Sequence, residues 1–166
     1  MCGRYRLSRR KHIVAEHFDS ISGDDDWEPR YNIAPTQPVP IIRQHSKEPR
    51  RELSLVRWGL IPSWSKDASS AARMINARSE TVANLPAFRD AMKLRRCIVP
   101  ADGFYEWARS GKTKQPYCFE VRDGELFAFR WAVGAMERPG WHLGQELRDT
   151  DDHAECSHRC RSRSDA

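Results

Sequence analysis

The chain has 166 residues, enough for one domain with a substantial core, and no apolar run reaches the length of a membrane-spanning helix. Hydrophobic residues make up 39% and charged residues 31% of the chain, which is typical of a somewhat polar globular protein. The net charge is +5, and the basic excess lies in residues 1–129, a balance that fits nucleic-acid phosphates but is usually just a solvated surface.

Basic residues interrupt the start of the chain, so it lacks the apolar segment of a signal peptide. We therefore expect a cytoplasmic, reducing location. The cysteines form an odd set with no framework spacing, at Cys2, Cys97, Cys118, Cys156 and Cys160. Disulfides are not expected from such a set.

The first residues, Met1-Cys2-Gly3-Arg4, carry the most reactive chemistry of the sequence. Removal of Met1 would leave Cys2 with a free α-amine and a thiol on adjacent carbons. Unperturbed groups of these kinds titrate near pH ~7.7–8.0 and ~8.5, so both are partly nucleophilic near neutrality. Such a pair condenses with an aldehyde, first as a Schiff base and then as a thiazolidine ring. It could instead attack an amide carbonyl, as N-terminal nucleophile hydrolases do, and a bare cysteine at position two is most often an accident of position.

Hydrophobic spacing and proline content predict the elements of the first third of the chain. The predictions are a strand at 5–7, a helix from Arg9 to about Ser20 with Ser8 as its N-cap, and strands at 39–43 and 52–60. The block from Arg30 to Pro40 is too rich in proline for a helix or a central strand, so we expect an ordered, extended surface segment there.

Two tryptophans flank the loop that follows, and either could stack on nucleic-acid bases. We expect Trp58 to be a core residue. Trp64, which has serines on both sides, is the better candidate for exposure.

Asn76, Arg78 and Glu80 alternate along the next stretch. In an extended conformation they would share one face, which suits contacts to phosphates or base edges. A charged face turned to solvent explains the spacing equally well.

The next elements are a helix from about Pro86 to Lys93 and two strand-like runs around Pro100-Ala101-Asp102-Gly103. Glu106 follows among aromatic neighbours, which makes its carboxyl group a candidate general acid or base. An outward-facing strand residue is the plain alternative. The last predicted elements are a hairpin with its tip at 110–112, a tight turn at 123–124 and a strand at 126–129.

Five distinctive sequence blocks follow one another along the chain: Met1-Cys2-Gly3-Arg4-Tyr5, Arg30-Tyr31-Asn32-Ile33-Ala34-Pro35, Trp58-Gly59-Leu60-Ile61-Pro62, Ile75-Asn76-Ala77-Arg78-Ser79-Glu80 and Pro100-Ala101-Asp102-Gly103-Phe104-Tyr105-Glu106-Trp107. In this order, the five blocks closely resemble the SOS response-associated peptidase (SRAP) family of abasic-site processing proteins. The resemblance covers residues 1–129.

The resemblance implies that Cys2 captures the ring-opened aldehyde of an abasic site in single-stranded DNA as a thiazolidine. It implies a catalytic set of Cys2, Asn76 as a polar partner, and Glu106 as the acid/base for ring opening and linkage reversal. It also implies DNA contacts by the side chains of Arg4, Asn32, Trp64 and Arg78. Crosslinking and lyase-type activity would need no cofactor and no metal, and we expect a monomer.

The family pattern continues with a Gly-Leu-Trp-Glu segment, a Thr-rich strand and a His-Asp-Arg-Met-Pro motif whose histidine belongs to the active site, and none of these stands in residues 130–166. Codons for these residues, read one nucleotide later, can spell all three segments in order. We therefore infer a frameshift near Phe129, with an incomplete domain at 1–129 and an aberrant tail at 130–166. The tail's His153, Cys156, His158 and Cys160 match no standard zinc module, so we expect no metal site there.

The fold predicted from these patterns is α+β: a twisted, mainly antiparallel, barrel-like sheet core with flanking helices, whose C-terminal portion is incomplete. Three alternatives to DNA crosslinking stay open at this point. They are an N-terminal nucleophile cysteine peptidase using the same Cys2, a non-covalent DNA-binding module, and a non-functional truncated fragment.

Overall fold

The computed structural model describes residues 3–62, 64–65 and 70–134. Within them, nine β-strands form two sheets, neither closed on itself, beside two α-helices and three short 3₁₀ turns. The strands are β1 (Arg4–Leu7), β2 (Ser20–Ser22), β3 (Arg30–Ile33), β4 (Pro38–Gln44), β5 (Arg51–Arg57), β6 (Arg96–Ala101), β7 (Gly103–Ser110), β8 (Thr113–Phe119) and β9 (Phe127–Ala132). The helices are α1 (Lys11–His17) and α2 (Pro86–Leu94).

The four-stranded sheet has the strand order β3-β1-β7-β8 and is antiparallel throughout. The five-stranded sheet has the order β2-β5-β4-β6-β9, and its single parallel pair among the described strands is β2 with β5. The predicted α+β class and the mainly antiparallel pairing are confirmed.

One hydrophobic core takes side chains from both sheets and from α1. Tyr5, Leu7 and Ile33 enter it from the four-stranded sheet, and Ile41 and Leu53 from the five-stranded sheet. Fully burying an aliphatic side chain of this size contributes about 1.5–3 kcal/mol. A second, smaller cluster lies under α2, where Phe88 and Ala91 pack with Leu60 and Ala132.

Helix α1 is shorter than predicted and begins after Arg10, which takes the N-cap position without a side-chain cap. The prediction that Ser8 is the N-cap of this helix is wrong. Its backbone N–H and its hydroxyl both donate to the carboxylate of Asp102, at 2.6 and 2.7 Å. A charged acceptor binds a hydroxyl more strongly than a helix terminus does, so the tertiary contact takes precedence over the local cap.

The proline-rich block forms β3 at a sheet edge and the start of β4 in a sheet interior. The prediction that this proline-rich block contains no part of a central strand is therefore wrong at Pro38 and Pro40. The backbone carbonyl of Gln37 accepts a hydrogen bond from the backbone N–H of Trp58, which directly follows β5. Because successive residues of a strand direct their backbone groups to opposite sides, Pro38 and Pro40 both turn their nitrogens away from β5. On its other side β4 pairs with β6, and within the described residues the paired position is Ile42 opposite Ile98, which lies beyond both prolines. The missing proline N–H groups therefore interrupt no ladder.

The elements predicted for the second half agree well with the structure. Helix α2 and the β7–β8 hairpin have the expected places, and Gly111 forms the hairpin tip with φ +61°. Strand β9 continues past Phe129, the predicted domain boundary, to Ala132, and the Val133 N–H donates to the Arg95 carbonyl. The tail residues His153, Cys156, His158 and Cys160, for which no metal site is expected, lie outside the described residues.

Candidate nucleic-acid site

Strand β1 lies between β3 and β7 and carries the start of the chain. The antiparallel register with β7 sets Arg4 opposite Tyr105, Tyr5 opposite Phe104 and Arg6 opposite Gly103. Continuing this register by one residue brings Gly3 to the level of Glu106. Cys2, the predicted nucleophile, lies outside the described residues.

Arg4 and Asn32, two of the predicted DNA-binding residues, form one polar pair. The Arg4 Nη1 donates to the Asn32 Oδ1 at 2.9 Å. Asn32 is exposed on the edge strand β3, where the register with β1 shifts in a β-bulge. The Tyr105 hydroxyl donates to the Tyr31 carbonyl at 2.7 Å and ties β7 to the bulge. Bulges turn side chains at sheet edges, so this one helps to present Asn32 to solvent.

Glu106 is half-buried on β7 and lies opposite Tyr117 of β8. Successive strand residues point to opposite faces, so Glu106 shares a face with Phe104, which packs on the core, and not with Tyr105. Phe104 stacks on Phe119 with ring centroids 5.3 Å apart. Of the aromatic neighbours of Glu106 in the sequence, only Phe104 thus lies on its face, and the role of Glu106 as acid/base stays a prediction.

A cavity of about 310 Å³ is lined mainly by the five-stranded sheet and the 75–77 loop, with Tyr5 of β1 also in its wall. Side chains of Tyr5, Trp58, Phe129 and Asn76 are among those that line it. The buried Nε of Arg57, which also lines the cavity, has no hydrogen-bond partner among the described residues. A mainly apolar wall with a few convergent polar groups is typical of a small-molecule or sugar site.

Asn76 reaches this cavity from a loop. The sequence left open whether Asn76, Arg78 and Glu80 lie in an extended segment, and the chain between the 3₁₀ turns at Ala71–Arg73 and Val82–Asn84 forms no strand. The Trp58 indole N–H donates to the Ile75 carbonyl at 3.1 Å and fixes the loop against the cavity. The expectation that Trp58 belongs to the core is confirmed by its packing against the main cluster.

Trp64 and Arg78 lie apart from the cavity wall. Trp64 is 67% exposed, as expected, and lies beside the start of α2 in a shallow hollow with Pro86 and Arg89. Arg78 is exposed, and its carbonyl accepts the backbone N–H groups of the following turn. The structure thus brings Arg4 and Asn32 together and sets Asn76 at the cavity, while Trp64 and Arg78 are separate, exposed side chains.

Asp102 is the important residue that the sequence patterns did not indicate. It lies between β6 and β7, is 0% exposed, and accepts hydrogen bonds from Ser8 and Arg6. These partners are 94 and 96 residues away in the chain, so no local pattern could identify them.

Two ionisable side chains near β1 and β6 have strongly shifted pKa values. Burial alone would lower the pKa of Arg6, but hydrogen bonds and charge interactions with Asp102 and Glu120 outweigh it and raise the pKa. Burial raises the pKa of Cys97 to about 12, against a smaller lowering effect of the Arg43 charge.

Within the described residues, no three His, Cys, Asp or Glu side chains come together to hold a metal ion. Cys97 and Cys118 form no disulfide in this part of the chain. No helix among the described elements is both long and apolar enough to cross a membrane.

Residues 1–140 match the protein family described as SOS response associated peptidase (SRAP). The chain is 40% identical over 150 residues to the abasic site processing protein YoaM of Bacillus subtilis, covering 89% of this chain and 64% of that protein. It is 42% identical over 132 residues to YoqW of Bacillus subtilis, covering 78% and 58%. The abasic site processing protein YedK of Escherichia coli is 33% identical over 140 residues, covering 81% and 60%.

A solved structure of a Bacteroides thetaiotaomicron protein superposes with a TM-score of 0.67 at 28% identity, covering 78% of this chain and 58% of that one. A Bordetella bronchiseptica structure gives a TM-score of 0.64, also at 28% identity, covering 78% and 62%. The chain spans about three fifths of the length of the curated relatives it matches.

Proposed function

This chain belongs to the SOS response associated peptidase (SRAP) family, and on that premise we propose that it processes abasic sites in DNA by forming a covalent link through Cys2. The substrate is the aldehyde form of the abasic deoxyribose in single-stranded DNA, met during the DNA damage response. The observation that carries the proposal is the register of β1 with β7, which brings Gly3, bonded to Cys2, to the level of Glu106.

The chemistry begins with removal of Met1, which frees the α-amine of Cys2. Glu106 then moves a proton from the C1′ hydroxyl to the ring oxygen, which opens the sugar to its aldehyde. The amine adds to C1′ and water leaves, giving an imine. The thiol adds to the same carbon, its proton passes to the nitrogen, and the five-membered ring closes. The net change is the loss of one water molecule.

The site offers polar groups for the sugar and the DNA strand. Asn76 and Arg57 supply donors at the wall of the cavity, whose volume of about 310 Å³ accommodates a deoxyribose. The exposed pair of Arg4 and Asn32 supports the proposed phosphate contacts. Trp64 and Arg78, both exposed, are proposed to contact the strand further away.

We place this reaction in the cytoplasm, with the protein acting as a monomer. The unpaired cysteines in the described chain support a reducing compartment. The imine that precedes ring closure can also lose a proton from C2′, and the electron pair left there expels the 3′ phosphate by breaking the C3′–O bond, which would appear as lyase activity.

The test is incubation of the purified protein with an end-labelled single-stranded oligonucleotide that contains one abasic site. We expect a denaturation-resistant band whose mass equals protein without Met1 plus DNA minus one water. Cys2→Ala should abolish the band. Cys118→Ala is the matched control, because Cys118 is a half-buried thiol on β8, and it should crosslink normally. An undiminished band with Cys2→Ala would overturn the proposal.

The family description favours a second candidate, a peptidase that uses the same Cys2 as its nucleophile. Protein made in a reaction free of methionine aminopeptidase distinguishes the two functions. Loss of Met1 there, blocked by Cys2→Ala, would show self-processing. Salt-sensitive DNA binding with no adduct would indicate a non-covalent binding module, and a chain without cooperative unfolding would indicate a non-functional fragment.

A further inference from the structure

Asp102 occupies the corner where the chain passes from one sheet to the other. It follows Ala101, the last residue of β6, and precedes Gly103, the first residue of β7. Its side chain is almost completely buried, at 1% exposure. A buried carboxylate is stable only when it is paired and hydrogen-bonded, so the surrounding donors decide whether this corner can form.

The donors come from β1 and the residue after it. The Arg6 Nε donates to one carboxylate oxygen of Asp102 at 2.7 Å. The backbone N–H and the hydroxyl of Ser8 donate to the other oxygen at 2.6 and 2.7 Å. In return, the Asp102 backbone N–H donates to the Arg6 carbonyl at 3.0 Å. Both oxygens of the carboxylate thus bind the end of β1.

Arg6 extends this network to β8. Its Nη1 lies 2.8 Å from a carboxylate oxygen of Glu120, which directly follows that strand. The guanidinium also passes over Gly103, where an added Cβ would lie 3.3 Å from the Arg6 Nε. Glycine at this position therefore gives the guanidinium room to reach Asp102 over the backbone.

A strand that slips by one residue moves its backbone by about 3.3 Å and turns each side chain to the other face. The contacts of Asp102 with Arg6 and Ser8 hold β1 at one register against β7. Because β1 is short, the same contacts fix the place of Gly3, the described residue before Arg4.

We propose that Asp102 is a positioning residue of the N-terminal site: its buried carboxylate locks β1 in register with β7 and so holds the Cys2 amine and thiol beside the abasic sugar. This proposal rests on the proposed function. It assigns Asp102 no contact with the DNA. Its effect should therefore fall on the rate of crosslinking of bound DNA and not on DNA affinity.

The experiment compares crosslinking rates at saturating abasic DNA, per folded molecule, for Ser8→Ala, Ser8→Thr and Asp102→Asn. Ser8→Ala removes one hydrogen bond and should slow the reaction at least about fivefold. Asp102→Asn replaces an acceptor oxygen by a donor group and should slow it about 100-fold, since small displacements of reacting groups have such effects. The DNA concentration at half-maximal rate should stay within about twofold.

Ser8→Thr keeps the hydroxyl group and should restore the rate. Ser20→Ala is the control, because Ser20 is a half-buried serine whose hydroxyl donates to the Ala15 carbonyl, away from β1. Its crosslinking rate should not change.

Lower thermal stability with an unchanged rate per folded molecule in Ser8→Ala would mean that the network is merely structural, and would overturn this inference alone. If Asp102→Asn does not fold, the comparison of the crosslinking rates of Ser8→Ala and Ser8→Thr decides whether the network positions the N-terminal site. A wild-type chain that forms no adduct would overturn the proposed function and this inference together.

Discussion

Cys97 shows how burial of a single titratable group affects the stability of the whole chain. The residue is 6% exposed, and burial raises the pKa of its thiol to about 12. An unfolded thiol loses its proton near pH ~8.5. Above that pH the unfolded state binds fewer protons than the folded state, so the free energy of unfolding falls as the pH rises.

We therefore expect the contribution of Cys97 to be complete below about pH 8.5 and to decline toward pH 12, by at most ~1.4 kcal/mol per pH unit. Urea unfolding at neutral and alkaline pH checks this. Cys97→Ala should lose less stability between the two conditions than the unmodified chain. Cys118→Ala leaves Cys97 in place and should lose as much. Equal losses in Cys97→Ala and the unmodified chain would refute the assignment.

At the scale of elements, the connection from β5 to the Asn76 loop depends on Gly59. Its φ is +135°, and an added Cβ would lie 2.5 Å from the Ala71 carbonyl oxygen. The neighbouring Leu60 N–H donates to the Met74 carbonyl at 3.0 Å, so a shift here displaces the loop that forms the cavity wall. Backbone strain and a steric clash therefore coincide at one residue.

Gly59→Ala should lower the free energy of unfolding by roughly 2–4 kcal/mol. Gly111→Ala is the matched control: its φ is also positive, at +61°, but nothing lies within 4 Å of an added Cβ. The left-handed conformation alone costs roughly 1–2 kcal/mol. Chemical denaturation of both variants measures the difference. Similar losses would show that Ala71 moves aside without cost.

The elements that could be predicted from sequence are those whose signals are local. Helix α2 has its apolar face and Pro86 in the first turn, and the β7–β8 hairpin has Gly111 at its tip. The cap at Ser8 was mispredicted, and the conformation at Asn76 could not be settled from the sequence, because distant residues decide both: Asp102 accepts the Ser8 hydroxyl, and Trp58 holds the Asn76 loop. The same holds for the candidate site. The aminothiol chemistry of Cys2 can be predicted from the first residues alone, but the hydrogen bond between Arg4 and Asn32 joins residues far apart in the sequence and could not be predicted.

At the scale of the whole molecule, the excess of basic residues predicts salt-dependent DNA binding. The affinity for single-stranded DNA should fall steadily between roughly 50 and 200 mM salt. Arg4→Gln should reduce the slope of log affinity against log salt by ~0.7, the value for one phosphate contact on a single strand. Fluorescence anisotropy measures both quantities.

Lys47→Gln is the control for this measurement, because Lys47 is exposed in the turn between β4 and β5. It should leave the slope unchanged. If Lys47→Gln reduces the slope as much as Arg4→Gln, the protein responds to net charge and has no local phosphate site at Arg4. The frameshift near Phe129 stays a prediction, which the nucleotide sequence of the coding region decides.

The five-stranded sheet consists of two ribbons. Strands β4 and β5 pair along their whole length, and so do β6 and β9, but within the described residues the ribbons share only the register position of Ile42 and Ile98. The cavity is lined from both ribbons, by Val39 and Ile41 on one side and Val99 and Phe129 on the other. The packing of one ribbon against the other therefore sets the width of the cavity.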